Sequence, residues 1–75
     1  MRIQEVIRST GLTRKAIEYY ISQGLVNPVT GDNGYRFFDQ KDLLSLKKTH
    51  LYRRLDLSIT EIRRALEGED MEVLR

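Results

Sequence analysis

The side chains best equipped for chemistry fall in three short stretches. Arg14, Lys15, Glu18 and Tyr19 share one six-residue window, Tyr35 and Arg36 stand side by side, and Arg53 and Arg54 form a third pair. Guanidinium, ammonium and phenol groups are hydrogen-bond donors, suited to a partner rich in anionic oxygen. Other chemistries lack their parts. With no Cys there is neither a disulfide nor a thiolate metal site. A single His, His50, leaves no His-rich zinc site and no conventional pairing with a nucleophile. No titratable cluster stands out, so the chain does not read as an enzyme, and no catalytic residue, metal or cofactor is assigned.

The elements that must position these groups can be read from local signals. Ile3, Val6 and Ile7 give the first helix its apolar side, over about Ile3 to Thr10. Gly11 can take positive φ and end that helix, and Thr13 can cap the next. Two short helices on so brief a hinge pack only at a steep angle, the helix-turn-helix arrangement. On the second helix, at about 100° per residue, Ala16, Ile17, Tyr20 and Ile21 share the inner side. Lys15, Glu18, Tyr19 and Ser22 then face outward with Arg14 at their edge, and Gly24 ends the helix. Leu25-Val26 and Tyr35-Arg36-Phe37-Phe38 read as two strands around Asn33-Gly34, a hairpin signal because both residues tolerate positive φ. So short a hairpin has no sheet to join and is expected as a wing beside the helices.

Further on, Asp39 and Asp42 resemble a weak helix start ahead of Leu43, Leu44, Leu46, Leu51 and Leu55. Ser58-Ile59-Thr60-Glu61 fits a capping box opening a last helix, with Ile59, Ile62, Ala65 and Leu66 inward. Glu67-Gly68-Glu69-Asp70 reads as a linker, and Met71, Val73 and Leu74 begin an apolar pattern that the chain does not complete. Seventy-five residues make one small domain with a modest core. The net charge of +2 conceals an asymmetry: 12 Lys/Arg face 7 Asp/Glu through Leu66, and 1 Arg faces 4 acids after it. A basic body favours a polyanionic partner, with an ordinary solvated surface as the bland alternative. No apolar run approaches a membrane span and no signal peptide is visible, so the chain reads as soluble and cytoplasmic.

This order of motifs resembles the DNA-binding domain of MerR-family transcription regulators. The resemblance is carried by Gly11-Leu12-Thr13, Ala16-Ile17-Glu18-Tyr19-Tyr20, Gly24-Leu25-Val26 with Pro28, Asn33-Gly34-Tyr35-Arg36 and Leu57-Ser58-Ile59-Thr60-Glu61-Ile62. It implies a mainly α, winged helix-turn-helix fold: four helices, a two-stranded hairpin wing, and a second wing from the last two helices. Residues 1–66 would form that domain, and residues 67–75 a linker and the start of a truncated dimerisation helix. Such regulators usually act as homodimers joined by a long helix. They bend and untwist promoter DNA so that RNA polymerase can use it, and this chain alone is expected to be monomeric. Three positions depart from the family pattern. Glu18 stands where Arg commonly meets DNA, Asp56 replaces the Gly before the last helix, and Thr49 takes an apolar place, softening the core.

Each site residue has a plainer reading. Arg14 and Lys15 open the recognition helix, where side chains reach the major groove or its phosphates, although cations there slightly oppose the helix dipole. Glu18 could accept from cytosine N4, but an i,i+4 pair with Arg14 is the favoured reading. Tyr19 resembles the family tyrosine that bonds a phosphate, while Tyr20 belongs to the core. Tyr35 and Arg36 resemble family residues that hold phosphates across the minor groove; strand alternation separates them, and Arg36 is the stronger candidate. Arg53 and Arg54 suit a helix end whatever the function, or serve the second wing. His50 is expected exposed and is given no site. The leading expectation is sequence-specific double-stranded DNA binding. The alternatives are a small excisionase-like architectural DNA-binding protein and a protein-interaction module that reuses the winged fold.

Overall fold

The computed structural model describes residues 1–73, with side-chain surroundings for residues 1–68. Four helices and one hairpin follow in the order α1 Ile3–Thr10, α2 Arg14–Ser22, β1 Val29–Thr30, β2 Arg36–Phe37, α3 Gln40–Arg54 and α4 Ile59–Val73. The hinge between α1 and α2 is built as its sequence demands. Gly11 adopts φ 75° and donates its N–H to Ile7 O at 2.9 Å. Leu12 turns inward, and the Thr13 hydroxyl oxygen accepts from Ala16 N at 3.1 Å. At the far end of α2, Gly24 donates to Ile21 O and Leu25 N to Tyr20 O, at 3.0 and 3.1 Å. That pair of bonds around a left-handed glycine uses the last free carbonyls of the helix.

Val6, Leu12, Ile17, Tyr20, Leu25, Val26, Phe38, Leu46 and Ile62 form one core. Ile3, Ile7, Ala16, Ile21, Ile59 and Leu66 pack around it half-buried. Thr49 is fully buried within it, and its hydroxyl donates to Ser45 O at 2.7 Å, so the polar atom is satisfied inside its own helix. Both α3 and α4 open on reciprocal caps. Asp39 and Asp42 each accept from the other's backbone N–H, at 2.8 and 3.0 Å, and Ser58 and Glu61 do the same at 3.1 and 3.0 Å. Burial pushes the Asp42 carboxyl up, whereas the Ser58 N–H holds that of Glu61 below its usual range. Leu44 and Leu51 on α3, and Leu55 just after it, stay exposed.

Five local expectations give way. Leu25-Val26 is a buried segment, not a strand. The register Val29↔Phe37, carried back along the chain, sets Leu25 opposite Lys41, which already belongs to α3, so the pair has no strand to join. The second strand is correspondingly shorter, Arg36–Phe37, with Phe38 in the core. In the turn only Gly34 takes positive φ (81°); Asn33 contributes its side-chain oxygen, accepting from Tyr35 N at 3.1 Å. Glu67-Gly68-Glu69-Asp70 is no linker either, since α4 runs unbroken to Val73. One interior Gly costs a helix about 1 kcal/mol relative to Ala, too little to stop it among glutamates. The apolar pattern expected of the Met71, Val73 and Leu74 side chains lies outside the described residues. His50 is half-buried where exposure was expected.

Candidate nucleic-acid interface

The wing is held from two sides. The Met1 amino group donates to Phe38 O at 2.8 Å and the Met1 carbonyl accepts from Phe38 N at 2.7 Å, which lays the N-terminal residue along the base of β2. The Arg2 guanidinium then lies 4.3 Å from the centre of the Tyr35 ring and 5.7 Å from that of Phe37. Cation and ring faces attract at such distances. On the other side, Arg36 Nη1 donates to Glu18 Oε1 and forms an ion pair that ties the wing to α2.

Between wing and helix opens a cleft of about 550 Å³, lined in part by Arg2, Arg14, Glu18, Tyr35 and Arg36. Three guanidinium groups and one carboxylate leave it net positive, with the Tyr35 ring on its wall. Lys15 and Tyr19 stand on the same outward side of α2 but beyond the cleft lining; Tyr19 is 50% exposed. Arg53 and Arg54 lie outside the cleft, exposed in the last turn of α3. The Arg53 guanidinium donates to Leu57 O at 3.1 Å and so braces the turn into α4.

One pairing expected from the sequence is corrected. Glu18 pairs with Arg36, not with Arg14. A pair with the cation N-terminal to the acid is the weaker i,i+4 orientation, and the hairpin brings a guanidinium to the same carboxylate. Arg36, the stronger candidate of the wing, therefore has a partner within the protein. Two arginines went unread in the sequence. Arg2 reaches the cleft only because Met1 pairs with Phe38, 37 positions away. Arg63 donates to Gln23 O at 2.7 Å across 40 positions, fastening α4 to the end of α2. A cation just ahead of an apolar helix was the one available signal for Arg2, and nothing local marks Arg63.

Among the described residues no group of His, Cys, Asp or Glu could hold a metal ion, and no helix is long and apolar enough to cross a membrane. The profile of the MerR HTH family regulatory proteins matches residues 1–69. The HTH-type transcriptional regulator CueR of Salmonella typhi is 40% identical over 62 residues, which cover 81% of this chain and 45% of that protein. HmrR of Rhizobium leguminosarum bv. viciae, also an HTH-type transcriptional regulator, is 38% identical over 66 residues, covering 88% and 51% respectively. SkgA of Caulobacter vibrioides, of the same description, is 33% identical over 66 residues, covering 87% and 26%. The chain thus spans between a quarter and a half of the length of these relatives.

Proposed function

The chain belongs to the MerR HTH family of regulatory proteins, and we propose that it binds double-stranded promoter DNA through α2 and the wing. The observation that carries this reading is the cationic cleft between those two elements, set beside the exposed Lys15 and Tyr19 of α2. α2 enters the major groove with Arg14 and Lys15 leading, and Tyr19 bonds a flanking phosphate. The wing, with Arg2 beside it, lays Tyr35 and Arg36 along the backbone, while Arg54 and Arg53, the latter bonded to Leu57 O, support a second wing from α3 and α4. In a longer protein two such domains act as a dimer, distorting the promoter for RNA polymerase in the cytoplasm.

Backbone gripping has a measurable signature, the release of counterions. Neutralising about four phosphates gives a slope of about −3.6 in log affinity against log salt. Binding to a fluorescent duplex should therefore weaken about 10²-fold between about 50 and about 200 mM salt. Anisotropy titrations of the whole chain measure this. Binding that ignores salt, or no binding at low salt, would overturn the reading and favour a protein-interaction module.

A further inference from the structure

Among the described residues, Glu18 is the only acid lining a cleft that also presents Arg2, Arg14 and Arg36. It sits on the outward side of α2, where a lone carboxylate would repel a polyanion, and its charge is matched by Arg36 from the wing. Both side chains remain partly open to solvent, Arg36 37% and Glu18 41% exposed. An ion pair this wet contributes little to folding. What it does occupy is Arg36 Nη1, one donor of a planar fork whose spacing fits carboxylate and phosphate alike. Arg36 cannot give the same N–H edge to both.

We propose that Glu18 is an internal competitor for the phosphate at Arg36. It holds the phosphate's place in the free protein, and duplex DNA engages the wing only by displacing it. The inference rests on the DNA-binding reading above. Its consequence is a lower affinity for duplexes of any sequence, because one cation of the interface arrives already neutralised. Arg2 and Arg14 line the same cleft and keep it positive when Glu18 is displaced.

A cycle of Glu18→Gln, Arg36→Gln and the double variant, titrated with a duplex of arbitrary sequence, tests this. Glu18→Gln should steepen the salt slope by about 0.9, which is a gain of about eightfold at 0.1 M salt that vanishes towards 1 M. Arg36→Gln should weaken binding by the native chain and flatten the slope of Glu18→Gln by about 0.9, and removing Glu18 should gain less once Arg36 is gone. Melting temperatures of the variants should stay with the parent, and Glu18→Ala provides a second removal of the carboxylate. Unchanged or weaker binding by both Glu18 variants would overturn the proposal. Weakening confined to duplexes with a particular base would also overturn it and make Glu18 a reader of cytosine. If the native chain shows no salt-dependent binding, the DNA reading itself falls, a result distinct from either.

Discussion

Tyr19 and Tyr20 are neighbours in sequence with opposite surroundings: Tyr19 is 50% exposed and Tyr20 only 8%. Their rings still touch obliquely, 5.9 Å between centres at 56°. Tyr19→Phe keeps that contact and the fold, so its melting temperature should match the parent. The lost hydroxyl should weaken duplex binding about three- to tenfold, the worth of one hydrogen bond. Tyr20→Ala should cost about 3–5 kcal/mol, against the roughly 4–11 kcal/mol that holds a domain of this size. Urea unfolding beside a duplex titration separates the two; a larger stability loss for Tyr19→Ala than for Tyr20→Ala would reverse the assigned faces. This facing was legible because a helix turns by a fixed angle per residue, so two adjacent side chains must diverge. The partner of Glu18 was not, since it comes from a hairpin 18 positions on, and no local period reaches that far.

Asp56 tests how a turn tolerates an awkward residue. It closes α3 with φ 66°, its N–H donating to Arg53 O while Leu57 N reaches Tyr52 O, both at 3.1 Å. Glycine occupies the matching place at the end of α2, where nothing crowds it. Left-handed backbone costs an L residue about 1–2 kcal/mol, less for Asp, and glycine surrenders part of the gain through its looser unfolded chain. Asp56→Gly should therefore stabilise the fold by about 0.5–1 kcal/mol, raising the melting temperature by about 2–8 °C. A fall in calorimetry would mean the carboxylate holds the turn in some other way. Elements whose ends carry their own chemistry were read closely from sequence: Ile3–Thr10 and the Thr13 start of α2 stand where expected. Errors came where local signs compete with the rest of the molecule. Leu25 and Val26 have the composition of a strand, but burial in the core, not pairing, fixes them. Gly68 has the composition of a break, but the helix runs through it.

At the scale of the whole molecule, α2 and the wing offer the proposed interface once. Two copies joined by a flexible linker, offered a correctly spaced palindrome, should bind about 10²–10⁴-fold more tightly than one copy on a half-site, through effective concentration alone. The free chain should sediment as a monomer at tens of micromolar. A discrete dimer would point to pairing through some surface such as the exposed Leu44 and Leu51 of α3 with Leu55 at its end. The stitch between Met1 and Phe38, with bonds of 2.8 and 2.7 Å in both directions, also decides where such experiments can attach a handle. An affinity tag or fluorophore placed ahead of Met1 emerges beside Arg2 and Tyr35. There it would crowd the cleft and change the charge being measured. A dye on the exposed Lys47 of α3, away from the cleft lining, reports binding without taking part in it.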